Sequence, residues 1–430
     1  MTPLAIPLFL LTTDVAGNVS VVEGINDNAA ERIDATGARE RHASLFTGLS
    51  ATGTLRVAAR DSDSHALSAR TRLQTYNSLS SVPSRAPSGT AIFSYTGAFS
   101  TSKRGGLALG ASASFTSIAS ARASDGNLLL TLDPLSNGTQ VAFYSGSASY
   151  SHALSPRLGI SQSLGLLATS TLTAAPIDAA NGVVLDRRGI DGIIPSSTTT
   201  LSRELGPRDT GLLSVTYRMI YSPYSFDIRT VPAALGPPQR IHQVIPGVGL
   251  SHAVTDTITS TTTAGVSFAT APLFDPEKSV DVFPVGSQQL VFAGRRFSAR
   301  ALASVTYGTT SARLGAGPAY SLVGSVSGAP IEGHAYRSLY MVAAIQANHS
   351  TVRTADGTAA LEGVGTGVEF RYGLTKWLGI YTGYDLRLTS QFGGAGDGSF
   401  RQIVFVGLSG YFSSDKTLPP IETTQSPYAP

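Results

Sequence analysis

Four charged residues near the end of the chain are spaced so that they could act together on a charged solute. They form two pairs, Glu369 with Arg371 and Asp385 with Arg387, and the members of each pair are two positions apart. On an extended strand, residues two apart lie on the same side. If that side faces water, the four charges would create a field that selects solutes. The alternative interpretation is that they are solvated or mutually paired wall residues.

A second group of charges lies in the segment 172–208. Asp186, Arg187, Arg188 and Asp191 follow one another closely there, with Arg203 and Glu204 further on. The segment shows few alternating apolar positions and predicts a long loop. Such a loop could fold inward and narrow an opening with these charges, or it could pack over the opening without entering it.

Histidine and tyrosine recur at one position of a repeated motif. YSHALSPRL (150–158), LSHAVTDTI (250–258) and FRYGLTKWL (370–378) align without a gap, with His152, His252 and Tyr372 at the equivalent position. A catalytic or metal-binding role would be lost where tyrosine replaces histidine. A ring with a polar tip at a boundary between apolar and aqueous surroundings accounts for all three, and for Tyr150 and Trp377 nearby.

The other candidates for chemistry are weak. His349 and Ser350 are adjacent, so on a strand they would point to opposite faces. The chain has no cysteine, which excludes disulfides and thiolate metal sites. Its formal net charge of +3 comes without a basic block, which gives no support for nucleic-acid binding. We therefore expect neither an enzyme nor a cofactor.

The elements that position these residues alternate with period 2. Val364, Val368 and Tyr372 share one face of a predicted strand, while glycine, Glu369 and Arg371 occupy the other. The segment 378–388 repeats the pattern. The repeated motif predicts tight hairpins between such strands, with a three-residue loop at 374–376 and Tyr372 opposite Leu378. In the other copies it predicts Tyr150 opposite Leu158 and Leu250 opposite Ile258.

The strands are long, and their polar faces are rich in glycine and serine. Soluble strands average about 5–6 residues, whereas a strand that crosses a bilayer needs about 9–11. A transmembrane barrel places apolar residues outward and small or polar residues in its lumen, and aromatic rings gather at its interfaces. These features favour an all-β fold, a single antiparallel up-and-down transmembrane β-barrel of about 16–18 strands. A soluble β-sheet module is the alternative.

The chain resembles the outer-membrane β-barrel proteins of Gram-negative bacteria over roughly residues 43–412. The resemblance rests on the alternating strands, the hairpin YGLTKWLGIYTGY at 372–384 and a last strand that closes on Tyr411 and Phe412. It is specific to a class and porin-like in character. It implies a location in the bacterial outer membrane and contact with its lipid.

The predicted organisation has four parts. Residues 1–17 resemble a signal remnant, 18–42 form an N-terminal arm, 43–412 form the barrel, and 413–430 are a Pro-rich periplasmic tail that could dock a partner. Strands are predicted throughout 43–412, one of them at 223–232. Short turns at 153–155, 253–255 and 374–376 would be periplasmic, and loops 172–208, 270–285 and 391–399 external.

Three functions remain open at this point. The first is a pore or channel for solutes through a lumen that Asp186, Asp191 and the four alternating charges would line. The second is an export or assembly barrel, for example a polysaccharide exit, that uses the tail. The third is a structural or surface β protein that transports nothing. The sequence indicates neither substrate nor oligomeric state.

Overall fold

A computed structural model shows a closed antiparallel barrel of 18 strands. It describes residues 11–33, 39–59, 63–78, 88–117, 140–171, 175–178, 183–185, 189–222, 225–226, 235–236, 239–270, 280–311, 315–331, 339–354, 357–390 and 398–414. Within these residues, no helix has the length and hydropathy needed to cross a membrane. The predicted all-β class and the upper end of the predicted strand number are confirmed.

The strands follow one another around the barrel in chain order. The barrel strands are β1 (Leu11–Ile33), β2 (Arg39–Ala59), β3 (Asp63–Ser78), β4 (Ser88–Ser102), β5 (Gly105–Ser117), β6 (Gln140–Ser155), β7 (Leu158–Thr171), β10 (Gly189–Glu204), β11 (Asp209–Ser222), β14 (Gln239–Ala253), β15 (Ile258–Ala269), β16 (Asp281–Ala293), β17 (Phe297–Ser311), β18 (Gly315–Ile331), β19 (Leu339–Thr354), β20 (Gly357–Thr375), β21 (Leu378–Ser390) and β22 (Gly398–Ser413). Two small hairpins lie in connections: β8 (Ala175–Asp178) with β9 (Val183–Leu185), and β12 (Ser225–Phe226) with β13 (Leu235–Gly236). Pairing of β1 with β22 closes the wall and leaves the sheet without an edge.

Two barrel strands lie where the sequence predicted none. β1 covers residues assigned to the signal-like remnant and the arm, so the described barrel wall includes residues 11–33, outside the predicted 43–412. β10 occupies 189–204 of the predicted loop 172–208, so Asp191, Arg203 and Glu204 belong to a wall strand. Of the strand predicted at 223–232, only Ser225–Phe226 lie within the described residues, and they belong to a small hairpin.

The hairpins of the repeated motif share one register, which differs from the predicted one. Tyr372 pairs with Ile380, Tyr150 with Gln162 and Leu250 with Thr262. In the first and third copies a β-bulge at position 154 or 374 precedes a two-residue turn, 156–157 or 376–377. Counted from the last regular pair of the ladder and including the bulge, this connection is longer than a three-residue loop. The displacement is an even number of residues, so the same faces coincide as predicted.

A hydroxyl group explains the serine or threonine of the motif. The backbone N–H of Trp377 donates to Thr375 Oγ1 at 3.3 Å, and that of Arg157 donates to Ser155 Oγ at 3.3 Å. Thr255 accepts in the same way from Thr257 at 3.2 Å. The β4–β5 hairpin lies outside the three copies of the motif, and there Ser102 Oγ accepts from the Arg104 N–H at 3.2 Å. Each side chain stabilises its turn by satisfying a backbone donor two residues later.

The outer surface is apolar and the inner surface is mostly small or polar. Along β22, Val404, Val406 and Leu408 are 51–54% exposed, while Phe405 and Ser409, on the alternate face, are buried. The same inversion runs around the barrel, where exposed leucine, valine and phenylalanine alternate with inward residues. A soluble barrel would bury the apolar face, so this arrangement is typical of a barrel surrounded by lipid.

Candidate functional site: the barrel lumen

Glu369, Arg371, Asp385 and Arg387 lie on the lumen face of β20 and β21, as predicted. Glu369 and Arg371 are 5% and 4% exposed, and the Arg371 Nε donates to Glu369 Oε1. Arg387 binds Asp385 through two bonds, Nε to Oδ1 at 3.1 Å and Nη2 to Oδ2 at 3.0 Å. The structure therefore brings the four residues together as two ion pairs within their own strands, which agrees with the alternative of mutually paired wall residues. Whether they select solutes stays a prediction.

Glycines opposite these side chains leave the room that they occupy. Glu369 pairs across the sheet with Gly383, Asp385 with Gly367, and Arg387 with Gly365. With no side chain on the partner strand, a long charged group can lie flat against the wall and stay inside the barrel outline. The glycine-rich face thus holds the charges close to the backbone.

An apolar cluster lines the lumen next to the ion pairs. Val22, Phe46, Tyr381, Ile403 and Phe405 are all buried there, although the lumen face was predicted to hold glycine, serine, threonine and charges. Aromatic rings alternate with glycines in this cluster. Tyr381 is paired with Gly407, and a Cβ on Gly407 would come within 2.4 Å of its ring. This sector of the wall, formed by β20–β22 and β1–β3, is packed.

A second sector of the lumen, on β6 and β7, is hydroxyl-lined and open. Ser145, Ser147 and Ser149 on β6 and Ser163 on β7 point inward and are exposed. Hydroxyl pairs bridge neighbouring strands along the inner wall, including Ser112 with Ser145 at 2.8 Å. In a closed barrel, exposure of inward residues means that the space beside them is empty of protein. A barrel of 16–18 strands is wide enough to leave an aqueous channel.

Basic side chains outnumber acidic ones on the described lumen face. Besides the two ion pairs, the inward guanidinium groups of the described strands are Arg56, Arg70, Arg72, Arg218 and Arg300, and the inward carboxylates are Asp14, Glu204 and Asp281. Sequence reasoning missed these arginines because none of them has an acidic residue two positions away with which to form an alternating pair. If the outward face of the strands that carry them had been recognised, the alternation of side chains would have placed these arginines on the inward face.

Not all predicted constriction residues can be placed. Asp186, Arg187 and Arg188 lie outside the described residues. Asp191 is in β10, but its side chain is outside the described part. Residues 189–204 of the predicted loop form the wall strand β10 and do not fold inward. The constriction predicted from this part of the loop is therefore wrong.

The predicted ring of interface residues faces outward at one end of the barrel. Tyr150, Tyr372 and Trp377 are 41%, 38% and 57% exposed. Tyr150 stacks on His152 with ring centroids 6.2 Å apart, and His252 Nδ1 lies 2.7 Å from Asp209 Oδ1. This end carries the short turns and both ends of the barrel wall. Their role at a membrane interface stays a prediction.

Other candidates for chemistry show no catalytic arrangement in the described residues. His349 contacts Glu362 at 3.0 Å on the outer face, while Ser350 is buried on the inner face, as the strand parity predicted. No group of three or more metal-binding side chains occurs within the described ranges.

Comparisons with known proteins add solved barrels but no family. No protein-family model matches the chain, and no curated protein matches it. Among solved structures it is similar to the siderophore receptor PirA from Acinetobacter baumannii, with 8% identity, a TM-score of 0.46, and coverage of 93% of this chain and 81% of that one. A mutant of the ferric enterobactin receptor PfeA from Pseudomonas aeruginosa gives 9%, 0.44, 93% and 80%. OccAB4 from Acinetobacter baumannii gives 12%, 0.39, 94% and 100%.

Proposed function

We propose that this protein is an outer-membrane channel for small polar solutes, with a weak preference for anions. The observation that carries the proposal is the inversion of the barrel. Apolar side chains cover its outside, and exposed serines such as Ser147 line one side of its lumen. A closed wall in lipid with a hydrated interior allows passage across the membrane. The short-turn end would then face the periplasm.

The anion preference follows from the lumen charges. Each acidic residue of the two ion pairs is bound by an arginine of its own strand, so Glu369 and Asp385 attract cations only weakly. The remaining inward charges of the described strands are five arginines and three carboxylates. A positive lumen field raises the local concentration of anions.

The packed sector favours a second candidate, a barrel that stays closed until a partner opens it. Phe46 and Phe405 are 0% and 2% exposed, so the wall from β20 to β3 excludes water. An export or assembly barrel with a partner at its C-terminal tail would have this form. The two candidates differ in whether the isolated barrel conducts.

Single-channel recording in a planar bilayer tests the proposal. The folded state is verified first by a heat-dependent shift in gel mobility. We expect stable conductance steps, and a reversal potential in a KCl gradient that has the sign for chloride. A verified barrel that never conducts would contradict the channel and support the gated barrel. A reversal potential with the sign for potassium would contradict the charge argument alone.

A further inference from the structure

Three outward-facing prolines lie in one row across the barrel wall. Pro246, Pro284 and Pro318 are on β14, β16 and β18, every second strand. Val266 pairs with Pro284, and Tyr307 pairs with Pro318. Continuing the flanking ladders places Pro246 opposite Val266 and Pro284 opposite Tyr307. The register of the row is continuous from β14 to β18, but β17 departs from it at Tyr307, whose ring packs on the inward Phe283 and whose hydroxyl donates to Asp281.

The backbone of Pro284 faces β17 at a position that requires a hydrogen-bond donor. At the turn, the Gly294 N–H donates to the Phe297 carbonyl at 2.9 Å, so even-numbered residues of β16 exchange bonds with β17. Pro284 is such a residue and has no N–H. The β16–β17 ladder stops at Gly286 with Val305, and 281–285 have no partner on β17. Proline thus opens a seam between two wall strands.

The same alternation shows that Pro246 and Pro318 each face a neighbouring strand at a position where a backbone donor is required. Thr270 N–H donates to the His242 carbonyl at 2.9 Å, so Pro246 faces β15, and the β14–β15 ladder omits 245 and 246. That ladder resumes at Val244 with Phe268. Pro318 faces β19, whose ladder with β18 begins one residue later. This part of the wall is therefore looser than the rest.

Side chains of the lumen close the β16–β17 seam. The Tyr307 carbonyl, which lacks the Pro284 donor, accepts from Gln243 Nε2 at 2.6 Å and from Arg218 Nη2 at 3.1 Å. Arg218 also donates from Nε and Nη2 to Gln243 Oε1. Arg218 and Gln243 come from β11 and β14, across the lumen face from β17. We call these two side chains and the Tyr307 carbonyl the latch.

An apolar surface lies behind the latch. Ile220, Ile241, Ala269 and Tyr307 form a buried cluster on the inner face, and Ile194, Phe283 and Val285 pack against it. On the outside, Val282 is 61% exposed. Elsewhere along β4–β10 the described lumen face carries mainly hydroxyl groups. The seam is thus a place where apolar surface continues from the outside of the wall to its inside.

The seam lies at the depth of the lipid chains. Pro284 is ten residues from Gly294 in the turn. At ~3.3 Å per residue and a tilt of ~40°, it stands about 25 Å above the short-turn end, near the upper limit of a barrel's apolar band. A molecule in the outer part of the membrane would meet the seam there.

We propose that the β16–β17 seam is a lateral portal that binds an amphiphile with an acyl chain and one anionic headgroup. The chain would lie on the apolar cluster, and the headgroup would replace the Tyr307 carbonyl on Arg218. The charge of Arg218 supports an anion, because its hydrogen-bond partners among the described residues are an amide oxygen and a carbonyl oxygen, both neutral. Asp281 is bound by the Tyr307 hydroxyl. This portal does not depend on aqueous conduction through the lumen.

Photolabelling in nanodiscs tests the binding site. The probe is a medium-chain fatty acid with a diazirine at the end of its chain, and labelled residues are identified by mass spectrometry. We expect label on Phe283, Ile220 and Ile241. Label confined to outward residues such as Val282 would show ordinary contact with surrounding lipid and would overturn the proposal.

Matched arginine variants test the headgroup. Arg218→Met should reduce lumen-side labelling about tenfold or more, because a charge-assisted contact is lost. Arg300→Met, which removes an inward arginine of β17 on the short-turn side of the seam, should leave it unchanged. The methyl ester of the probe should label the wild type and Arg218→Met equally. Equal labelling of the two arginine variants by the acid would overturn the anionic headgroup.

Disulfide locking tests the portal, and the chain has no native cysteine to interfere. Val285→Cys with Thr306→Cys would bridge the open seam, and Ser287→Cys with Ser304→Cys would bridge the intact ladder below it, where these two residues pair. Oxidation should abolish lumen-side labelling in the first variant only, and reduction should restore it. Labelling that persists in the locked seam would contradict entry between β16 and β17. Conductance should be the same in both variants, which separates this outcome from failure of the channel.

Discussion

Replacement of Glu369 by glutamine should destabilise the barrel strongly, because it removes the carboxylate to which the buried Arg371 donates. Glu369 and Arg371 are 5% and 4% exposed, so water can solvate neither group. Removal of one member of a buried ion pair costs about 3–5 kcal/mol. Glu362→Gln is the matched control, since Glu362 contacts His349 at 3.0 Å with side chains 60% and 42% exposed. An exposed pair contributes about 0–1 kcal/mol.

The assay is denaturant unfolding of the folded barrel in lipid vesicles, followed by the fluorescence of Trp377, the one tryptophan of the chain. The free energy of unfolding should fall for Glu369→Gln by several times the change for Glu362→Gln. The double variant Glu369→Gln/Arg371→Met should recover much of the loss, because it leaves no buried charge unpaired. If Glu369→Gln cost no more than Glu362→Gln, the buried ion pair would be refuted.

Three further predictions follow from the packing, the turns and the interface. Gly24→Ala should destabilise the barrel by about 1–3 kcal/mol, since a Cβ there would lie 2.5 Å from the Val404 carbonyl oxygen and 2.6 Å from the Phe46 ring. The control Gly53→Ala should be nearly neutral, because a Cβ there would meet nothing within 4 Å. Equal losses of unfolding free energy in the two variants would contradict the packed sector. Thr375→Ala should cost about 0.5–1.5 kcal/mol through loss of the acceptor for the Trp377 N–H, while Thr375→Ser keeps it; a loss as large in the serine variant would exclude the hydroxyl as the cause. Trp377 should be quenched more by lipids brominated near the headgroup than by lipids brominated near the chain end, and the reverse order would contradict its interfacial position.

Strands were predictable where their two faces differ sharply. On β20–β22 valine, tyrosine and leucine alternate with glycine and charge, and both the strands and the inward position of Glu369 and Asp385 are as predicted. β10 was missed because its outward face includes Pro195, Ser197 and Thr199, which give little apolar signal. Such a strand stays in the wall because it pairs with neighbouring strands whose faces differ sharply, and not because its own residues have a high strand propensity.

The packed sector and the seam depend on which residues face one another across strands. Tyr381 and Phe405 lie on the small, polar face of their strands, and only the register shows that Gly407 and Gly383 make room for their rings. The effect of Pro284 is likewise not evident from the sequence alone. It depends on the alternation of β16, which directs the backbone nitrogen of Pro284 toward β17. A register is set by turns and bulges over the whole barrel, so a single strand's sequence does not reveal it.

The central claim is that the serine face of β6 borders water and the alternate face borders lipid. Ser147→Cys and Ala148→Cys, adjacent on β6, test it in single channels exposed to a membrane-impermeant anionic thiol reagent. Ser147→Cys should react and its conductance should fall, while Ala148→Cys should be unaffected. Reaction of both cysteines to the same extent, or of Ala148→Cys alone, would contradict the inversion on which the channel proposal depends.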